Sequence, residues 1–366
     1  MAKNKTYHEE MTQKNSEQLR QIVSGLPTFT KEYFNYLQST TEIRTRVNYA
    51  IDLRTFLFFL QKQNPAFSEK ELSQITLEDI SRLHVVDIEE YMSFLESYTD
   101  AEGKQRTNSD AGKNRKLASL RNFFNYYVTR KFLEYSPAAA VKIKKPHIKP
   151  IIHLEQEEIE DLFNYMDNLE KALAAQESIC ADGDKKKYSQ RLQYFKKTKY
   201  RDTAILMTIL GTGIRVSECV GLDITDIDFK KKMLKVVRKG GDIDTVYFND
   251  EVERALREYI EIERPIYESR SKNENALFYS MQGTRLGVRA IENMVKKYAG
   301  EVVPLKEITV HKLRSTFATS VYRSTSDIYK VSKALGHKSL NMVRRYANST
   351  EEDKIAAAES ISLRKK

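Results

Sequence analysis

The stretch AAAVKIKKPHIKPIIHL, Ala138 to Leu154, constrains the fold of this chain more than any other. It sets four lysines and two prolines between two long regions whose apolar residues recur at helical spacing. Proline has no amide to donate and pushes the residue before it out of the helical region, so no helix runs through this segment. Residues 142–150 therefore read as an extended linker, with Lys142, Lys144 and Lys145 able to follow a phosphate backbone. A chain of 366 residues is also too long for one ordinary core. The expected organisation is a polar arm over 1–25, as a short helix or a loose segment, a helical domain over 26–141, the linker, and a second domain over 151–366.

In the first region TRVNYAIDLRTFLFFLQKQ places Val47, Ile51, Leu53, Phe56, Leu57 and Leu60 mainly on one side of a helix. GKNRKLASLRNFFNYYVTRKF does the same with Leu117, Leu120, Phe123, Phe124 and Tyr127. Between them LEDISRLHVVDIEEYMSFLES reads as an entry turn and a further helix. Four or five helices and no clear strand are expected there. The second region opens with LEQEEIEDLFNYM, whose acidic first turn suits a helix N-terminus. KKKYSQRLQYFKKTKYR, Lys185 to Arg201, follows with eight basic residues and no acidic one. Either a solvated helix face or phosphate contact accounts for such a run. MLKVVRKGGDIDTVYF alternates on each side of a Gly-Gly turn and predicts a β-hairpin. Helical patterns then continue to the end, so the fold class is mainly α with one small β-sheet.

The formal charge of +10 points to a polyanionic partner, nucleic acid or an acidic membrane surface. No apolar run approaches membrane-spanning length, and the N-terminus lacks the apolar centre of a signal peptide. Cys180 and Cys219 are the two cysteines, too few for a disulfide framework and without the companions of a zinc site. A reducing cytoplasm is the expected location.

The residues able to do chemistry follow in order. Arg215, in GTGIRVSE, sits in an apolar setting and needs an anion or an acid; Glu218 is a ready structural partner. Lys239 is at the tip of the expected hairpin. His311 and Arg314, in HKLRSTFATSVY, share one helix face and are expected to emerge together at its start. SKALGHKS reads as a helix closed by Gly336, with His337 just past the bend. Tyr346 lies nine residues after His337. Singly, none of these is specific. In this order they form a set of cations and imidazoles around a phenol, with no carboxylate cluster of the two-metal kind, no Walker loop and no GxSxG. Such a set suits phosphoryl transfer from DNA to a tyrosine: guanidiniums hold the non-bridging oxygens, one group takes the phenolic proton and another protonates the departing oxygen.

On GTGIRVSE, HKLRSTFAT and LGHKSLNMVRRYA the chain resembles the tyrosine recombinases, the family of phage integrases and Xer proteins, from about Thr28 to its end. The resemblance implies a helical core-binding domain and a mixed α/β catalytic domain. It assigns Arg215 and Arg314 to a phosphate clamp, Lys239 to protonation of the leaving 5′ oxygen and His311 to proton transfer from the nucleophile. His337 would hydrogen-bond the scissile phosphate, and Tyr346 would form a 3′-phosphotyrosine link. No metal, ATP or other cofactor is implied. The implied partners are a specific double-stranded DNA site, a homo-tetramer on two duplexes and a DNA translocase of the division machinery, with the protein cytoplasmic and nucleoid-associated. Arg44, Arg46, Lys113, Arg115 and Lys116 are expected backbone contacts by charge and helix position. DKIAAAESI resembles the helix that family members dock into a neighbouring protomer. The long basic segment from Asp167 to Arg201, the leading arm and VVRKGGDIDTV resemble the single-recombinase Xer proteins of some gram-positive bacteria, whose role is chromosome dimer resolution. An integrase or excisionase of a mobile element, a type IB topoisomerase and a DNA-binding protein with a decayed site remain alternatives.

Overall fold

The computed structural model describes residues 6–142, 150–180, 182–238, 240–271, 275–336, 340, 343 and 346. The chain divides into two compact units, Met1–Ile148 and Lys149–Lys366. The first is built from α1 (Tyr7–Ser24), α2 (Thr30–Leu37), α3 (Ile43–Gln63), α4 (Leu77–Ser81) and α5 (Val85–Phe94). A hairpin of β1 (Ser97–Thr99) and β2 (Gln105–Thr107) follows, then α6 (Asp110–Thr129) and α7 (Pro137–Ala140). Its core lies between α3 and α6, where Val47, Leu53, Phe56, Leu57 and Leu60 meet Leu117, Leu120, Phe123, Phe124 and Tyr127, all buried. Aromatic rings meet there edge-on, as their quadrupoles favour; Tyr33 stands at 89° to Phe123 with centroids 5.4 Å apart.

The leading segment, expected as a short helix or a loose arm, is an 18-residue helix from Tyr7, longer than expected. Thr6 and Glu9 form a capping box at its start, and Leu19 and Ile22 enter the unit's core as α1 packs along α3. The β1–β2 hairpin was also unexpected, because its three-residue strands are largely exposed and show no apolar alternation. Asp100 makes its turn instead: Oδ1 accepts from the amides of Glu102 and Lys104, each at 2.9 Å, and Oδ2 accepts from Arg106 Nε at 2.7 Å.

The second unit contains α8 (Gln156–Ile179), α9 (Asp182–Thr212) and α10 (Val216–Gly221), then β3 (Ile227–Asp228), β4 (Met233–Val237) and β5 (Ile243–Tyr247). It continues through α11 (Asp250–Glu258), a π-helical turn Tyr259–Glu263, α12 (Arg264–Glu268), α13 (Val288–Val302), α14 (Val310–Thr325) and α15 (Ile328–Leu335). The basic run and the apolar run after it are one helix, α9. Leu192, Phe195, Thr198, Arg201, Asp202, Ile205 and Ile209 recur at three- and four-residue steps and turn its buried side inward. Lys185, Lys186, Lys187, Lys196 and Lys197 are exposed, but Arg201 is buried on Asp202 with Nη2 to Oδ1 at 2.7 Å. The hairpin is present as β4–β5, with Leu234 opposite Val246, and β3 adds a third antiparallel strand in the order β3-β4-β5. At two residues β3 is too short to leave a period in the sequence.

Candidate functional site

The local sequence bends the chain twice toward one point of the second unit. α9 ends at Thr212, and Gly213 takes φ +64°, where a Cβ would sit 2.2 Å from the Phe317 ring of α14. This turn delivers Arg215 to the N-cap of α10, in extended backbone at φ −74° and ψ 153°. α15 ends likewise on Gly336 in the left-handed conformation, its amide bonded back to Lys333 and Ser332.

Three guanidiniums converge on the carboxylate of Glu218, whose side chain is 2% exposed. Arg215 Nη1 donates to Oε1 at 2.6 Å and the Arg215 amide donates to Oε2 at 2.8 Å. Arg238 Nη1 donates to Oε2 at 2.9 Å and its Nε to Asp244 Oδ2 at 2.9 Å. Arg314 Nη1 lies 3.9 Å from Oε2. Arg314 is also held by two main-chain carbonyls: Nη1 donates to Gly213 O, and Nη2 to Leu335 O at 2.8 Å. Both carbonyls belong to the C-terminal ends of helices, α9 and α15, where the backbone dipole is negative and acceptors lack helical partners.

Among the described residues, three arginines face two carboxylates, Glu218 and Asp244. The most buried of the three is Arg314. Burial and then the neighbouring Arg215 push the Arg314 guanidinium down to about 10, with Arg238 acting in the same sense and Glu218 and Tyr346 opposing. Arg314 stays charged at neutral pH, at a cost that an anion bound beside it would offset. Tyr346 is thus within electrostatic reach of Arg314. Its ring is partly buried against Ala318, Val331, Leu335 and Val343, and its amide donates to Val343 O at 2.9 Å.

The residues singled out from the sequence fall as follows. Arg215, Arg314 and Tyr346 come together. His311 is exposed at the start of α14, whereas Arg314 turns inward, so the pair does not emerge together as expected. The carbonyls of Gly213 and Leu335 give Arg314 its reason to turn. Lys239 and His337 lie outside the described residues, as do Lys144, Lys145 and the DKIAAAESI segment.

Of the expected backbone contacts, Lys116 is 6% exposed with Nζ 3.2 Å from Asp52, which corrects its reading as an outward-facing cation. Arg115 forks onto Asp52 at 2.5 and 2.7 Å with half of its side chain exposed. Lys113 pairs with Glu96 at 2.9 Å and Asp110 at 3.4 Å. Arg44 is exposed and donates to Asn15 Oδ1 at 3.2 Å, Arg46 is half-buried, and Lys142 is exposed. Arg238 was missed by the sequence reading. The signal was there: Leu234, Val236 and Arg238 are buried at steps of two, one face of the β4 strand carried one residue past its end.

The sequence and the fold have relatives among known proteins. The Phage integrase family profile matches residues 184–353. Tyrosine recombinase XerC of Caldanaerobacter subterraneus subsp. tengcongensis is 30% identical over 334 residues, covering 88% of this chain and 83% of the relative. Tyrosine recombinase XerS of Streptococcus mutans serotype c is 26% identical over 367 residues, covering 94% of this chain and 98% of the relative. Among solved structures, XerH site-specific recombinase bound to difH substrate in a pre-cleavage complex has the same fold. Its TM-score is 0.57 at 24% identity, over 87% of this chain and 80% of that one. The chain belongs to the tyrosine recombinases, in the Xer branch of that family, and is a site-specific recombinase that cleaves and rejoins DNA.

Proposed function

We propose that the chain binds a specific double-stranded DNA site and opens it at Tyr346. The phenol oxygen attacks phosphorus, the bond from phosphorus to the 5′ oxygen breaks, and the phosphate stays on the 3′ end as a phosphotyrosine. Arg215 and Arg314 take the non-bridging oxygens, where charge accumulates in the transition state. The resemblance adds His311 for proton transfer from the phenol, His337 as a donor to the phosphate and Lys239 as the acid for the 5′ oxygen. Because the ester energy is kept in the link, a 5′ hydroxyl from a second duplex reseals the strand. A homo-tetramer on two duplexes carries out the exchange. Lys142, Lys144, Lys145, Arg44 and Arg46 contribute backbone contacts.

The observation that carries this reading is the Glu218 cluster, which gathers three arginines with Tyr346 in reach of the most buried of them. On a nicked suicide substrate, whose severed 5′ fragment diffuses away, the wild type should accumulate a covalent adduct. Tyr346→Phe should bind the same DNA and form none. Full adduct formation by Tyr346→Phe would overturn the assignment.

We propose chromosome dimer resolution as the biological role, served by a DNA translocase of the division machinery in the nucleoid. Similarity to XerC and XerS proteins along most of the chain supports it. DNA recovered covalently attached to the protein in cells should map near the replication terminus. Recovery of mobile-element ends would replace this role with integration or excision.

A further inference from the structure

Arg238 joins three elements at the site. Its side chain is 8% exposed, with Nε on Asp244 of β5 and Nη1 on Glu218 of α10, each at 2.9 Å. Its main chain frames the hairpin tip, the amide donating to Asp242 O at 2.8 Å and the carbonyl accepting from Gly241 at 3.0 Å. Lys239 is the next residue in the chain. The guanidinium also lies directly against Gly336, where a Cβ would sit 2.7 Å from Nε and 2.8 Å from Cζ. One planar group thus abuts the hairpin, the acid that holds Arg215, and the left-handed turn that leads into His337.

We infer that Arg238 is a positioning residue for cleavage: it ties the hairpin to Glu218 and so fixes which Glu218 oxygen is left for Arg215. The inference rests on the proposed phosphoryl transfer. Glu218 Oε2 receives Arg238 and the Arg215 amide, while Oε1 receives the Arg215 side chain. Without Arg238 the carboxylate is free to rotate toward Arg314, already 3.9 Å away, and Arg215 loses its fixed orientation. A lysine restores the charge but has a single nitrogen, which cannot serve Asp244 and Glu218 from two points of one plane as the guanidinium does.

The test uses the full-length chain and separates DNA binding from chemistry. Dissociation constants are measured on intact duplex, and single-turnover adduct formation on saturating nicked suicide substrate. For Arg238→Lys we expect binding within about threefold of wild type and adduct formation slowed by about 30-fold or more, the scale of losing one preorganised contact. Asp244→Asn, a milder change at a side chain 42% exposed, should slow adduct formation by a smaller factor, again without weakening binding. Full rescue by Arg238→Lys would mean that charge alone matters and would overturn the positioning role. Equal loss of binding and rate would mark a merely structural residue and overturn it too. A misfolded Arg238→Lys, seen in its circular dichroism, leaves the decision to Asp244→Asn, where a wild-type rate would reject the tie. Absence of any adduct with the wild type would instead reject the phosphoryl-transfer reading, and the inference with it.

Discussion

Each unit of this molecule buries a carboxylate among cations, and the two clusters end differently. In the first unit Asp52 is fully buried, with Arg115 forked across both oxygens and Lys116 on Oδ1. Its surplus positive charge belongs to Arg115, half of which faces water, where solvent screens it. In the second unit Glu218 serves three arginines, and the most buried of them, Arg314, is 3% exposed. The ingredients are similar; what differs is whether a guanidinium beside the carboxylate is removed from water. The first cluster holds α3 to α6, and the second is proposed to receive the phosphate.

That difference can be broken by matched substitutions. Asp52→Asn leaves the Lys116 ammonium buried beside a neutral amide, which should cost about 3 kcal/mol of stability. Urea denaturation followed by tyrosine fluorescence, practical because the chain has no tryptophan, reads it. Adduct formation per folded molecule should stay near wild type, since the change is remote from the site. Glu218→Gln should do the reverse in kind, with adduct formation falling by roughly 100-fold as Arg215 and Arg238 lose their common anchor. If Asp52→Asn abolished cleavage while folded, the division into a structural and a functional cluster would fail.

A third buried carboxylate extends the comparison. Glu263, 2% exposed in the π-helical turn, accepts the amides of Tyr200 and Arg201 at 3.0 and 3.2 Å. Burial pushes it up to about 7. Because the folded value lies above the unfolded one, the native state holds a proton that the unfolded chain has released between those values. The contribution is therefore fully present below the ordinary carboxylate range and is lost as pH rises toward 7, by about 3 kcal/mol. Wild-type stability should fall across that window relative to Glu263→Gln, which cannot ionise. Parallel pH profiles of the two proteins would contradict this.

These clusters also show what the sequence made legible. Arg215 was found because it is polar in an apolar, glycine-bent setting, and Arg314 because it shares a helix face with His311; both are local properties of the chain. The long helices were legible from their apolar spacing. Lys116 was misread because its charge was weighed before its phase: it lies four and seven residues before Leu120 and Phe123, on the buried side of α6. Asp52 and Glu263 were invisible for a different reason. Their partners are 62 residues or more away on other elements, and no spacing in one segment records that. Arg238 lay between. Its step-of-two phase was readable, but its bonds to Glu218 and its fit against Gly336 exist only once three segments have met.

In the proposed reaction Arg314 carries a charge meant for the scissile phosphate. Replacing one non-bridging oxygen of that phosphate by a methyl group removes the phosphate's charge and leaves its position. Arg314→Gln should slow adduct formation by about 100-fold or more on the natural substrate, as expected for a lost transition-state donor. On the neutral methylphosphonate the same variant should lose less than about tenfold, because there is no charge left to match. Both rates come from one protein preparation, so any loss of folded enzyme cancels. An equal penalty on the two substrates would contradict the claim and make Arg314 a brace for Gly213 and Leu335 rather than a phosphate-binding group.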